Sequence, residues 1–410
     1  MTQISDTPPP PPAPTPWGLV TLLAAMTAFA PMSIDMYLPA QVAIGEDLGV
    51  GHAQVELTLA TFLAGMAIGQ FFYGPASDRF GRRGPVLVGC AVYVVASVIC
   101  ALTPSIEALI GARFLQALGG CCGGVIARAV VRDNFGHADT ARILSLLLLV
   151  MGLAPILAPF AGSLVLQVAD WRAIFWCLAA FGVAVAAAVW FRLKESRSEA
   201  TAAQARSENP FQAYGALLRQ PRLVGYLLAG ALNGAVLFTY ISASPGLIMG
   251  IYGVEPTLYS VLFGLNAFGV IGANQVNRWL LRRHQPDAIL LRASALAIVF
   301  GGLLVVAAAT GIGGPWTVLP LLFVTLSTYA LMQGNTTAGA LNCDPLRAGS
   351  ISALSGGLSF GAGALGSWIG GMLYNGTPVP MAAVMLACLV GSGLALRLLA
   401  LRAPKVSEAR

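Results

Sequence analysis

Two charged side chains stand in apolar sequence, where a charge is costly and has to be useful. Asp35 lies in Met32-Ser-Ile-Asp35-Met-Tyr37-Leu-Pro39-Ala40, and Arg113 opens Arg113-Phe-Leu-Gln116-Ala-Leu-Gly119-Gly120. A carboxylate in such surroundings can take up and release a proton or hold a cationic group. An arginine there must face protein, water or a counter-charge. Burial favours the neutral form of Asp35 and a neighbouring Arg113 its charged form, and the sequence leaves that balance open. Gln116 lies one helical turn from Arg113, so both can face the same space. Asn233 and Tyr240, seven residues apart, offer polar atoms from a distant part of the chain. The chain has 17 acids, and all but Asp35 fall at the ends of apolar segments, in loops or in tails, Glu56 among them. Asp35 and Arg113 are therefore the candidate proton-coupling residues, and with Gln116, Asn233 and Tyr240 they are the candidate binding residues.

The elements that must position these groups are set by composition. Of 410 residues, 57% are apolar and only 10% charged, and the formal charge is +6. A water-facing domain carries about 25% charged residues, so soluble folds are excluded. Basicity of this kind marks the loops on one side of a membrane rather than a nucleic-acid surface. Apolar spans are expected at about 17–42, 53–75, 84–103, 106–131, 141–168 and 171–193, and then at about 221–250, 257–281, 287–311, 315–341, 348–375 and 378–402. With both termini on one side, Arg79, Arg82, Arg83, Arg132, Lys194, Arg282, Arg283 and Arg402 share that side, which the positive-inside rule makes cytoplasmic. Glu46, Asp47, Glu56, Glu107, Asp170 and Glu255 fall opposite. The fold class expected is an all-α membrane protein, twelve transmembrane helices in two pseudo-symmetric six-helix bundles at 17–193 and 221–402, around a central cavity. A proline-rich cytoplasmic tail (1–16), a linker (194–220) and a short tail (403–410) complete it. The first tail has no basic start and does not read as a secretory signal.

The two halves carry related sequence. The second span ends in Gly74-Pro-Ala-Ser-Asp78-Arg79-Phe-Gly81-Arg82-Arg83, and the eighth in Asn277-Arg278-Trp-Leu-Leu-Arg282-Arg283, a degraded copy in the matching place. Gly74 permits close helix approach, Asp78 can cap a helix N-terminus, and the arginines can pair with acids or headgroups. The loop resembles the cytoplasmic signature of the major facilitator superfamily. That resemblance implies a conformational latch made by Gly74, Asp78, Arg79, Arg82 and Asp133, with Asp78 facing the start of the eleventh span and Arg82 reaching Asp133. The stretch from Arg113 resembles the superfamily's fourth-helix motif, with Ala117 where glycine is usual. Pro155, Pro159 and Gly162 bend the fifth span and resemble the signature associated with antiporters. Together with Trp171-Arg172, Ile241-Ser-Ala-Ser-Pro245 and the Ser/Gly-rich eleventh span, these motifs are similar to the bicyclomycin/chloramphenicol-resistance branch of drug:proton antiporters.

The resemblance implies proton-driven export of small amphipathic drugs across a bacterial inner membrane by alternating access. The transporter would act as a monomer, with drugs, protons and the lipid bilayer as its only partners, and would be neither an enzyme nor a nucleic-acid binder. A metabolite exporter or importer of the same fold would read alike. A membrane receptor or enzyme is disfavoured, since no span holds a Ser/His pair or paired carboxylates. No cofactor and no metal are expected: the seven cysteines show no CxxC spacing, and His52, His137 and His284 fall in loops.

Overall fold

The computed structural model describes residues 16–199, 201–203 and 210–401. The proline-rich segment, part of the linker and the last residues lie outside the described residues. Those described form helices and no strand.

Proline and glycine explain why the first span is broken. It runs as α1 (Trp17–Thr27), α2 (Phe29–Asp35), a 3-10 turn (Leu38–Ala40) and α3 (Gln41–Leu48), with a 40° bend between α1 and the rest. Pro31 and Pro39 lack the N–H that would continue the ladder, and Pro39 falls inside the 3-10 turn. Gly49, at φ +64, ends α3 in the left-handed region that glycine adopts freely. The span therefore extends past 42, and Asp35 sits at a break in its middle.

The remaining spans are mostly single helices. They are α4 (His52–Phe80), α5 (Arg83–Leu102), α6 (Ile106–Asn134), α7 (His137–Val168) and α8 (Arg172–Arg192), followed by a short α9 (Pro210–Leu217). The second half holds α10 (Pro221–Pro245, continued by a π-helical turn at Gly246–Ile251), α11 (Pro256–Leu280), α12 (Pro286–Thr310), α13 (Pro315–Cys343), α14 (Ala348–Met372) and α15 (Val379–Ala395). Among the described residues ten helices are long and apolar enough to cross a bilayer, eleven with the bent first span. The twelfth, α14, has 25 residues, roughly 37 Å at 1.5 Å per residue, enough for a 30 Å core. Eight glycines and five serines keep it out of the hydropathy count. It is small because it is packed against other helices rather than lipid.

Small residues set the helix spacing elsewhere too, since helices in lipid gain from close backbone approach. A Cβ on Gly65 of α4 would fall 2.5 Å from the Phe114 carbonyl oxygen of α6. One apolar cluster lies wholly between Val20 and Leu193. A second gathers the later helices together with Ile34, Leu38, Leu59, Phe62, Leu63 and Met66, so it crosses between the halves. The halves meet mainly through α4 on α14 and α7 on α11. Along the first seam, Gly371 faces Glu56, Gly361 faces Ala67, and Gly356 and Gly357 face Gln70 and Phe71. The seam is thus packed along α4 from Glu56 to Phe71, and two cavities found between helices are each about 10 Å³, the size of one water.

Candidate functional site

Asp35 ends α2 and is 3% exposed. The chain around it divides its side chains between the halves. Ile34 and Leu38 join the cluster that crosses to the second half, whereas Met36 and Tyr37 join the first-half core. Asp35 lies within electrostatic reach of Tyr240 and Tyr259 and has no hydrogen-bond or ion-pair partner among the described residues.

Arg113 on α6 is fully buried, yet it does not pair with Asp35 or any other acid. Its Nη1 donates to Gln116 Oε1 at 2.6 Å, and Gln116 Nε2 donates to Ser97 Oγ at 2.8 Å. The guanidinium lies over Phe62 (4.3 Å) and Tyr37 (4.6 Å), with Phe175 at 5.8 Å. A desolvated ring contact of this kind contributes about 2 kcal/mol, which offsets only part of the several kcal/mol that burying a charge costs. Nε and Nη2 have no partner. The balance between burial and Arg113 that the sequence left open at Asp35 therefore involves no direct bond between the two side chains. Tyr37 follows Asp35 by two residues and turns to the other side, where its hydroxyl meets Thr58 Oγ1 at 2.6 Å and its ring covers Arg113.

Asn233 and Tyr240, both buried on α10, serve different neighbours. Asn233 Nδ2 donates to the Tyr329 carbonyl and to Gln333 Oε1 at 3.2 and 3.1 Å, leaving Oδ1 unpartnered. The Tyr240 hydroxyl accepts from Asn266 Nδ2 at 2.8 Å and the ring stacks on Phe263. Of the five candidate binding residues, the structure joins Arg113 with Gln116 and brings Asp35 near Tyr240.

At the α4–α5 corner, Arg82 is 2% exposed and forms a two-point bond to Asp133 at 2.7 and 3.2 Å. Its Nη1 donates to Ser77 Oγ and to Asp78. Asp78 thus pairs with Arg82 in the turn that follows its helix rather than with the start of α14. Arg79 is exposed, and its carbonyl accepts from Arg197 at 2.6 Å. Open space surrounds Gly74, so no close approach is made there. The sequence missed Glu195, whose carboxylate accepts from the backbone N–H groups of Arg82 and Arg83 at 2.9 and 3.3 Å, at the start of α5. Partial burial pushes this carboxyl up, but those donors, with Arg197 and Ser196, outweigh it and hold it below the usual range. Gly81, at φ +95, makes the turn that aims them. In the second-half copy an amide, Asn277, stands where the first half has Asp78, and its Oδ1 accepts from Asn335 Nδ2 at 2.9 Å.

Pro155 and Pro159 lie inside one continuous helix, α7. Gly162 is needed there because a Cβ would collide with the Met36 carbonyl, and the Pro159 carbonyl accepts from Ser260 of α11 at 3.0 Å. This helix thus touches both the broken first span and the second half.

His52 and Glu56 differ most from expectation. Instead of loop residues they form the first turn of α4, with His52 Nε2 and Glu56 Oε1 3.0 Å apart. Glu56 is 1% exposed, so Asp35 is not the only buried acid in a span. The spacing of four between an imidazole and a carboxylate was the available signal. Nearby, Asp47 accepts from Arg172 (2.8 Å) and Trp171 (3.1 Å).

Comparison with known proteins agrees with this architecture. Residues 23–354 match the family model of the Major Facilitator Superfamily. The chain is similar to the uncharacterized MFS-type transporter YdgK of Bacillus subtilis, at 34% identity over 92% of this chain and 94% of that one. It is likewise similar, at 30% identity over 92% of this chain and 94% of the relative, to the bicyclomycin resistance protein homolog of Haemophilus influenzae. The multidrug resistance protein MdtL of Escherichia coli is 30% identical over 90% of this chain and 92% of its own. A partially occluded inward-open structure of the xylose transporter XylE from E. coli superposes with a TM-score of 0.71, covering 92% of this chain and 96% of that one, and at 11% identity it speaks to the fold alone. The chain belongs to the major facilitator superfamily, in the branch that includes the bicyclomycin resistance protein homolog.

Proposed function

We propose that this transporter is a proton-coupled multidrug efflux antiporter, exporting small amphipathic compounds across a bacterial inner membrane by alternating access. The relatives named for bicyclomycin and multidrug resistance support the substrate class. The observation that carries the mechanism is Asp35, a buried acid without a fixed partner, at a break in the first span and beside tyrosines of the second half. An acid tied to an arginine would be committed, whereas an uncommitted one can exchange a proton for a polar or cationic substrate group. Arg113 supports the site from behind Tyr37, through Gln116, by raising the local positive potential. Asn233 and Tyr240 contribute polar atoms from the second half, among aromatic side chains that can re-pack around different ligands.

The two halves, 17–193 and 221–402, rock against each other as bundles in this reading, with both termini cytoplasmic and the chain acting as a monomer without catalysis. The Asp78–Arg82–Asp133 cluster and Glu195 stabilise one of the two conformations at the cytoplasmic end. Pro155, Pro159 and Gly162 give α7 the bend that keeps it against both the first span and α11.

The test is transport in proteoliposomes with only a pH difference imposed. Asp35→Asn fixes the neutral form, so it should abolish uphill drug movement while inserting normally. It should also flatten the pH dependence of drug binding, which otherwise rises with pH through the titration of Asp35. Uphill pumping by Asp35→Asn under a pH difference alone would remove Asp35 from the proton path.

A further inference from the structure

The His52–Glu56 pair is not used by the mechanism above, and its position crosses the seam between the halves. His52 and Glu56 side chains are 14% and 2% exposed. Both press on glycines of the second half. A Cβ on Gly371 of α14 would fall 2.8 Å from Glu56 Oε2, and one on Gly246 would collide with the His52 imidazole. Tyr374, just past α14, sets its ring 4.9 Å from that imidazole. A cavity of about 10 Å³ borders Glu56, Leu247, Ile251, Tyr374 and Met381. We propose that His52 and Glu56 form a second proton-binding site, which fastens the halves together at this end when the pair is neutral and releases them when it takes up another proton. This inference rests on the proton-coupled reading.

The argument is one of charge at a closed apolar seam. With one proton shared between them, as imidazolium and carboxylate or as imidazole and carboxylic acid, the pair is neutral and internally hydrogen-bonded. A second proton places a net positive charge between Leu247, Ile251 and Met381, and such a charge is far better solvated in water. Separating the ends hydrates it. The open form therefore binds more protons than the closed form at acid pH, and by linkage acidification must favour opening. Few other ionisable groups face the pair. Tyr374 stays neutral in the acid range. The Gly246–Ile251 segment and the first turn of α15 carry none. Glu46 and Asp47 of α3 and Glu107 of α6 are exposed to solvent, and Asp47 is held by Arg172. In the proposed orientation this end faces outward, so a proton arriving from the acidic side would unfasten the seam through which drug leaves.

The experiment measures spin-label distances on the full chain in lipid nanodiscs, with cysteine-independent labels at Leu102 and Asn375, from about pH 8 to about pH 5. The parent should shift towards longer distances on acidification, by several-fold in population. His52→Gln should reverse the sign, because protonating Glu56 then neutralises the charge buried at this seam and favours closure. The double variant His52→Gln/Glu56→Gln should lose the acid-induced opening at this end. Asp35→Asn should still open like the parent, so failure of the Asp35 assignment in transport is read separately. A parent that shows no acid-induced opening overturns the proposal, as does His52→Gln opening like the parent. If the double variant fails to fold, the sign of the response in His52→Gln still decides.

Discussion

The two ends of α4 carry the same kinds of groups and use them differently. At one end, Asp78 and Arg82 face Asp133, Ser77 and Glu195, all within the first half and its linker. At the other end, His52 and Glu56 are pressed against Gly246, Gly371 and Tyr374 of the second half. The first cluster is built on an arginine that stays protonated at any working pH. The second contains the side chain whose ordinary titration falls nearest neutrality. A fixed charge network fastens a corner of one bundle, whereas a titratable pair suits a seam that has to open.

The largest effect should come from breaking the fixed network. Asp133→Ala leaves Arg82 buried without its two-point partner, a change that costs roughly 3 kcal/mol. Thermal unfolding in detergent should show it, and replacing Arg82 and Asp133 together by Leu should recover much of the loss. An unchanged melting curve for Asp133→Ala would mean that the corner is held by the backbone alone.

Next come the glycines. Gly371→Ala forces a Cβ against Glu56 and should destabilise by about 1–3 kcal/mol, the usual range for overpacking. Gly74→Ala meets open space at the other end and should be neutral or slightly stabilising through helix propensity. Equal losses at the two positions would contradict the contrast between a packed seam and a free corner.

Glu56→Gln should cost less, about 1 kcal/mol, since the amide oxygen can keep the bond to His52 while the charge attraction is lost. The same melting assay reads it.

The smallest effect belongs to Glu195→Gln, no more than about 1 kcal/mol for a helix-start contact. Its sign with pH is fixed. The folded carboxyl titrates below its ordinary value, so its contribution is present above that ordinary value and disappears as pH falls through the lowered one. The stability gap between parent and Glu195→Gln should therefore shrink on acidification, and a gap that widens would overturn the assignment.

Several features of the fold could be read directly from residue types. Long apolar stretches have one cheap solution in lipid, the helix, because no water is present to satisfy the backbone. That makes α5, α8 and α12 legible from hydropathy alone. Reading α14 required recognising that glycine and serine mark a helix buried among helices rather than a loop. The Arg82–Asp133 bond was legible only through the resemblance of the loop from Gly74 to Arg83 to the superfamily's signature. Glu195 was not, since it lies more than a hundred residues away and docks through backbone donors that have no sequence signature.

By itself the sequence determined that the chain crosses a membrane many times, that a short motif recurs in degraded form, and that Asp35 and Arg113 lie where charge is costly. Those facts follow from transfer energies and periodicity, which are local properties of the chain. Only the tertiary structure decided that Asp35 and Arg113 turn to opposite sides of the broken first span, and that Glu56 is buried while Asp78 is partly open. Side-chain direction at a helix break depends on which neighbouring helix supplies the pocket. Here the aromatic box of Tyr37, Phe62 and Phe175 captured the arginine, and a glycine on α14 made room for the acid.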